Sequence, residues 1–480
     1  LVETPKKQSQ KSKKEKSKMT FANAVKQYHN QTATENGMPA FKSSTNANVD
    51  LFFAIGASRG KDISGLFSKA LAEDRELALR NLLWARDARE GSGERQTFRN
   101  LLNYLEMHDD SALIHVLPRV AELGRWDDLL VLKSTQWKHF AFSLIGQALQ
   151  EQNQLCAKWM PRKGAVAKEL REFFKLTPKQ YRKGLVQLSN TVEQAMCAKN
   201  WEKITFDHVP SVAAARYQKA FTRNCGQRYI DYKQGLASGQ TKVNAAAVYP
   251  YDVIRSLKNG DVTVASAQWE SLPDYMQDNT KIVPLVDVSG SMSIGIAGSV
   301  IAMDAAVSMG LYVATKQRGA FKDIALTFNA EPEIQHLKGT LKDKYKQMMS
   351  GNWGTNTNVS KAFDKILSIA VNANVAQEDM PTHLLILSDM QFDQCVTGAR
   401  DTAMQMIERK YEQAGYKVPN IVFWNLVARG NNIPVDYRKD GTALVSGFSP
   451  SLMTSILGAK KFTPETIMLE AIMKDRYNLA

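Results

Sequence analysis

Apolar residues in the second half of the chain fall in short runs that alternate with amphipathic segments. The runs predict strands at residues 282–287, 324–329, 383–388, 420–427 and 443–446. The segments between them have apolar residues at helical spacing and predict helices at 299–317, 358–372, 399–414 and 464–474. Because strands and helices alternate, we expect an α/β domain with a parallel sheet that helices cover on both faces.

The first half has a different pattern, in which short helical segments follow one another from Val49 to about Gln240. Gly and Pro punctuate these segments, and Thr177 followed by Pro178 has the form of a helix start. The pattern predicts an all-α, HEAT-like array of helices, although no repeat of fixed length is present. We therefore expect a multidomain protein, with a disordered basic tail and polar lead-in at 1–48, an α-helical domain at 49–260 and an α/β domain at 261–480.

Charge divides the chain in the same way. The formal net charge is +14, and residues 1–250 contain 39 Lys and Arg against 24 Asp and Glu, whereas residues 251–480 contain 23 against 24. A basic surface attracts polyanions, so we expect the first half to bind the partner. No apolar stretch reaches about 18 residues and the N-terminus has no signal-peptide core, which predicts a cytoplasmic protein without membrane contact.

Carboxylate and hydroxyl groups follow the first strand of the second half. Asp287 ends that apolar run, and Ser289 and Ser291 come directly after it. Such hard oxygen ligands suit a divalent cation, Mg²⁺ first and Mn²⁺ or Ca²⁺ as alternatives, and open α/β sheets place their sites at the carboxyl ends of strands. The alternative interpretation is a Ser-rich turn with a capping Asp.

Two later segments favour the metal site over the turn. Strand 383–388 ends at Asp389, a second carboxylate at a strand tip, and the polar loop 351–358 places Thr355 and Thr357 before a helix. Three loops at one edge of a sheet could converge on one ion.

The order of these elements resembles the von Willebrand factor A domain and its metal-ion-dependent adhesion site (MIDAS). The resemblance implies a doubly wound, Rossmann-like fold and a bound cation whose coordination an acidic group of a partner protein completes. It assigns the cation to Asp287, Ser289, Ser291, Thr355 and Asp389. Thr357 has helix capping as its alternative role.

Other segments resemble the family of unknown function DUF2828. They are residues 87–95, 122–129, 157–162, 243–245, 249–251, 423–426 and 446–449. The architecture, a helical array followed by a von Willebrand factor A domain, is similar to the Ro60/TROVE-type RNA-binding proteins, whose helical ring binds small structured RNAs. This resemblance implies RNA, structured or single-stranded, as the partner of a TROVE-like helical half.

Residues 158–183 give separate support for RNA. Basic side chains neutralise phosphates, and aromatic rings among them stack on unpaired bases. The candidate nucleic-acid residues are Lys158, Trp159, Arg162, Lys163, Lys168, Arg171, Lys175, Lys179, Arg182 and Lys183. The alternative is a solvated helix face with Trp159 in the core. Arg86, Arg89 and Arg95 alternate with acidic residues, which favours ion pairs over RNA contact.

Sequence signatures of catalysis argue against an enzyme. Residues 56–62 mimic a phosphate loop, but the spacing is one residue short and Asp62 replaces the magnesium-binding hydroxyl, so no nucleotide cofactor is expected. Nothing near Asp287 in sequence is an evident general base. The leading hypothesis is a non-catalytic RNA- or ribonucleoprotein-binding scaffold with a MIDAS. The alternatives are a protein-only adaptor or cofactor of a MoxR-type AAA+ ATPase or other complex, and a metal-dependent phosphoryl-transfer enzyme.

Overall fold

The computed structural model of the chain describes residues 21–241, 243, 248–259, 262–278, 280–297, 300–328, 331–350, 358–393, 403–427, 429 and 432–479. Helices dominate the first half, and the strands of the large sheet lie in the second. The helices are α1 (Phe21–Asn30), α2 (Ala47–Ser58), α3 (Ser64–Glu73), α4 (Arg75–Arg86), α5 (Arg95–His108), α6 (Leu113–Leu123), α7 (Thr135–Gln150), α8 (Gln154–Trp159), α9 (Ala165–Phe173), α10 (Pro178–Ser189), α11 (Val192–Cys197), α12 (Ser211–Cys225), α13 (Gln227–Ala237), α14 (Pro250–Asn259), α15 (Val262–Glu270), α16 (Ala302–Lys316), α17 (Leu341–Ser350), α18 (Val359–Asn372), α19 (Ala403–Gln413), α20 (Leu452–Gly458) and α21 (Pro464–Ile472). No helix in these ranges combines the length and the apolar character needed to cross a membrane.

The strands form one large sheet and two small hairpins. They are β1 (Gln31–Ala33), β2 (Pro39–Phe41), β3 (Ile282–Asp287), β4 (Gly295–Ala297), β5 (Val300–Ile301), β6 (Ile324–Phe328), β7 (Ile334–His336), β8 (His383–Ser388), β9 (Asn420–Asn425) and β10 (Thr442–Ser446). The large sheet has the order β10-β9-β8-β3-β6-β7. Its strands are parallel except β7, which is antiparallel to β6. The chain leaves β3 toward β6 and returns on the other side at β8, so the carboxyl ends of β3 and β8 flank the topological switch point.

The predicted order of elements is confirmed: a helical array precedes a sheet covered by helices. Strands 282–287 and 383–388 have the predicted bounds, and strand 420–427 ends at Asn425. Helix 299–317 begins instead at Ala302, because the hairpin β4–β5 occupies the residues before it. The antiparallel edge strand β7 and helices α17 and α20 were not predicted, so the expectation of a purely parallel sheet was wrong at that edge. Residues 1–20, which include the whole basic tail, and residues 399–402 lie outside the described residues, and the polar lead-in contains α1 and the hairpin β1–β2.

The two halves of the chain share one hydrophobic core, which extends from Met38 to Tyr477. Helix α2 of the first half packs on β9 and β10 of the second and is buried on nearly all sides. The hydroxyl of Ser446 donates to the carbonyl of Phe52 and accepts from the backbone N–H of Gly56, both at 2.9 Å. The predicted domain boundaries stay a prediction.

Residues 87–95, the first of the family-like segments, form a second contact between the halves. The fully buried carboxylate of Asp87 accepts hydrogen bonds from the Arg476 guanidinium and, at 3.0 Å, from the Tyr477 hydroxyl. The neighbouring Arg86 pairs at 2.6 Å with Asp128, which is also fully buried. The predicted preference of Arg86 for an ion pair over a surface contact is therefore seen in the structure.

Candidate metal centre and basic face

Asp287 lies at the end of β3, in the middle of the sheet, where both faces of the strand are covered. Its carboxylate is fully buried. One oxygen, Oδ1, accepts the backbone N–H of Ser289 at 2.9 Å, and the other, Oδ2, accepts the hydroxyl of Ser388 at 2.5 Å. These two bonds fix the carboxylate in the crevice between β3 and β8.

The hydroxyls of Ser289 and Ser291 come together on the loop that leaves β3. A short 3₁₀ helix over Gly290–Ser293 turns the chain, and the two Oγ atoms lie 2.9 Å apart. Neighbouring ligands of an octahedral Mg²⁺ with bonds of about 2.1 Å are separated by about 3 Å. The spacing of the two hydroxyls therefore matches that of two ligands on one Mg²⁺.

Asp389 follows β8 and lies beside Asp287 across the switch point. It is 1% exposed, its Oδ1 accepts the N–H of Gln391 at 3.2 Å, and its Oδ2 lies 3.4 Å from the Arg429 guanidinium. Burial, together with the nearby negative charge of Asp389, raises the pKa of Asp287 to about 6. Two buried carboxylates that repel each other are an environment that a cation would stabilise.

The structure brings together four of the five predicted metal residues, Asp287, Ser289, Ser291 and Asp389. The fifth, Thr355, lies outside the described residues. Two carboxylates and two hydroxyls are hard oxygen donors, as Mg²⁺, Mn²⁺ or Ca²⁺ requires, and their chemistry fits the predicted cation. When bound, such an ion would act as a Lewis acid or as an anchor for an additional oxygen ligand.

Residues that the sequence did not indicate surround this centre. Arg429 lies next to Asp389 and also 4.0 Å from Glu35, a residue of the N-terminal hairpin β1–β2. The hairpin reaches the loop after β8 directly, because the Thr34 hydroxyl donates to the Phe392 carbonyl at 2.6 Å. No spacing or motif links these distant segments, so one sequence gives no signal for the contact.

The predicted nucleic-acid residues lie on α8, α9, α10 and the turns between them. Seven of the basic side chains are exposed: Arg162, Lys163, Lys168, Lys175, Lys179, Arg182 and Lys183. Lys158 and Arg171 are half-buried; Lys158 lies 3.7 Å from Glu193, and Arg171 donates to the carbonyl of Ala167. Thr177 caps α10 as predicted, with Pro178 at its first position. The structure therefore presents a basic face on the helical half.

The aromatic rings near this face are already engaged. The Arg125 guanidinium stacks on Trp159, with its carbon 3.3 Å from the ring centroid, and Trp159 is only partly exposed. Tyr181 is 3% exposed, and its hydroxyl donates to the carbonyl of Pro161. Tyr181 therefore has no open face for a base, whereas Arg125 occupies one face of Trp159, which stays partly exposed and is not part of the core.

Comparison with known proteins shows that the chain matches two protein families. Residues 34–139 and 138–282 match the family described as "Domain of unknown function (DUF2828)", and residues 281–477 match "Domain of unknown function (DUF7788)". The chain is also 30% identical to an uncharacterized protein of Acanthamoeba polyphaga mimivirus, over 92% of this chain and 87% of the relative. The resemblance of the second half to the von Willebrand factor A domain stays a prediction.

Two solved structures have weak likeness to the chain. The Ro (RSR) protein of Deinococcus radiodurans is 13% identical, with a TM-score of 0.36 over 90% of this chain and 94% of that one. Proximal thread matrix protein 1 of the mussel byssus is 12% identical, with a TM-score of 0.26 over 40% of this chain and 48% of that one. Scores at this level support no argument about fold or function.

Proposed function

The chain belongs to the DUF2828 family, and from this premise we propose that it is a non-catalytic RNA- or ribonucleoprotein-binding scaffold with a MIDAS-like metal centre. The observation that carries the proposal is that Asp287, Asp389 and the hydroxyls of Ser289 and Ser291 converge at the carboxyl ends of β3 and β8. In this proposal the second half is a von Willebrand factor A-type domain that binds Mg²⁺ and, through it, an acidic group of a partner protein.

The charges of the centre support capture of an acid. Serine hydroxyls carry no charge, so among the described residues of the centre two carboxylates offset the double charge of the ion, and one of them already faces Arg429. A cation in these surroundings retains attraction for a further carboxylate.

The RNA part of the proposal depends on the exposed basic side chains of α8 to α10. They belong to the half of the chain that holds the excess of Lys and Arg, and phosphate contacts with such residues release counterions. RNA would lie there mainly through its backbone, because Tyr181 is buried and Arg125 occupies one face of Trp159.

A serine-pair exchange tests the metal centre. We expect Mg²⁺ to raise the melting temperature of the wild type, because a ligand at 100 times its Kd adds about 2.7 kcal/mol to the free energy of unfolding. The double variant Ser289→Ala/Ser291→Ala should lose most of this shift. The matched control is Ser449→Ala/Ser451→Ala, a second buried Ser-x-Ser pair with Oγ atoms 2.7 Å apart, which should keep it. Equal Mg²⁺ shifts in both variants and the wild type would refute the metal centre.

A lysine-pair exchange tests RNA binding. The exposed pair Lys179 and Lys183 on α10 has a counterpart in Lys342 and Lys346 on α17 of the second half, with the same spacing of four residues. Replacing the α10 pair with Gln should lower the slope of log affinity against log salt by about 1.4 to 1.8 for labelled RNA, and the α17 pair should leave it unchanged. Binding without salt dependence would argue against RNA and in favour of the protein-only adaptor.

A further inference from the structure

A cleft of about 610 Å³ opens beside the basic face, between α8 and the end of α10 on one wall and residues 190–210 on the other. The walls belong to different hydrophobic cores. Ala157 and Leu185 lie in the large core, whereas Ile204 and Val209 lie in a separate small core around Phe221. Clefts between two packed bodies are common ligand sites, and volumes of about 300 to 1,000 Å³ hold small organic ligands.

The wall of the cleft carries side-chain amides without protein partners. Gln154, Asn190 and Asn200 all line it, and in the described part of the chain their side chains make no hydrogen bond. Asn190 also has a left-handed backbone, with φ of 25°, a conformation that costs energy in a non-glycine residue. Primary amides present a donor and an acceptor side by side, which is the pattern that pairs with the edge of a nucleobase.

Charge and apolar surface in the cleft suit the rest of a nucleotide. Lys158, Lys203 and His208 line it against a single acid, Glu193, which already lies 3.7 Å from Lys158. Leu155 also lines the cleft and is 58% exposed, so it offers an apolar surface on which a base could pack. The carboxylates of an acidic peptide would find cations here, but they are acceptors only and would leave the oxygens of the three amides without a donor.

We propose that this cleft binds a single unpaired nucleotide of the RNA. The amides of Gln154, Asn190 and Asn200 read the base edge, Leu155 packs on its face, and Lys203 contacts the phosphate. The proposal rests on the proposed RNA function and adds to it a place for a base. It explains how bases could be recognised although Tyr181 is buried and Arg125 occupies one face of Trp159.

The test uses the full-length chain and two RNA hairpins that differ in one bulged nucleotide, the fluorescent base 2-aminopurine. We expect wild type to bind the bulged hairpin about tenfold more tightly than the fully paired one, and the 2-aminopurine emission to change on binding. Gln154→Leu and Asn200→Leu should each remove most of this preference while binding to the paired hairpin persists. The control Gln150→Leu, an exposed glutamine one helix earlier that does not line the cleft, should behave as wild type.

Two results would overturn the assignment and leave RNA binding intact. One is equal affinity of wild type for both hairpins; the other is unchanged preference in the two cleft variants. Release of the bulged base by a poly-glutamate peptide at constant ionic strength would assign the cleft to a protein partner and also overturn it. Failure of wild type to bind either hairpin would refute the proposed RNA function itself, so the two failures are distinguishable.

Discussion

Replacing Glu94 with Gln should remove a pH-dependent destabilisation at the contact between the two halves. Glu94 is 3% exposed, and Arg59 Nη1 lies 2.7 Å from its Oε1. The same Arg59 guanidinium stacks on Phe448 of the second half, 3.6 Å from the ring centroid. The ion pair is short but poorly aligned, because Oε1 accepts no hydrogen bond from any group in the described ranges. The pair therefore offsets only part of the desolvation of the carboxylate.

The size of this destabilisation follows from the pKa of Glu94. Burial raises the pKa of Glu94 from 4.5 to about 7, although the charges of Arg59 and Arg86 lower it. Between these two values the folded protein holds a proton that the unfolded chain has released, so the free energy of unfolding falls as the pH rises. The difference between the two pKa values corresponds to a loss of about 3 kcal/mol in the free energy of unfolding of the wild type. This loss is complete above about pH 7 and absent below about pH 4.5.

Urea unfolding across this pH range measures the effect. The stability of Glu94→Gln minus that of the wild type should rise by about 3 kcal/mol from pH 4.5 to pH 7 and then level off. Glu202→Gln serves as the control, since it also replaces one carboxyl group with an amide but at an exposed position. A pH-independent difference for Glu94→Gln, or a stability that falls relative to wild type as the pH rises, would refute the reasoning.

Two further predictions concern the packing of the halves and the metal centre. Gly56→Ala should destabilise the protein in urea by about 1 to 3 kcal/mol, because its Cβ would lie 2.5 Å from the carbonyl oxygen of Ser446; Gly65→Ala, with open space around it, should not. Arg429→Gln should tighten Mn²⁺ binding by about tenfold in calorimetry, because it removes a positive charge 3.4 Å from Asp389. Unchanged Mn²⁺ affinity would show that the charge of Arg429 does not weaken cation binding.

The sequence predicted the centre of the sheet well because β3 and β8 are buried on both faces and read as continuous apolar runs. Each run ends at a carboxylate, and parallel strands bring such ends to one side of the sheet, so the sequence alone predicts that Asp287 and Asp389 lie close together. Edge strand β7 lacked this signal, since it has three residues and is largely exposed.

The contacts between the halves could not be predicted in the same way. Helix α2 is apolar around most of its circumference, which indicates burial but not the partner that buries it. Its contact with β10 joins residues that lie 390 positions apart. The aromatic residues near the basic face show the converse problem, because a Trp among lysines has the same spacing whether it faces solvent or, like Trp159, an arginine.

The N-terminal hairpin holds the loop after β8, which carries Asp389 of the proposed metal centre. Gln391, two residues after Asp389, accepts from the N–H of Glu35 at 2.8 Å through Oε1, and its backbone carbonyl accepts from the Asn36 side chain at 2.8 Å. Its Nε2 donates to the carbonyl of Arg429 at 3.0 Å. These bonds hold the loop that carries the second carboxylate before any ion binds, and a preorganised ligand loses less conformational entropy on binding. If the centre binds a cation as proposed, residues of the first half would support its affinity by holding this loop, which would link the proposed metal centre to the half of the chain proposed to bind RNA.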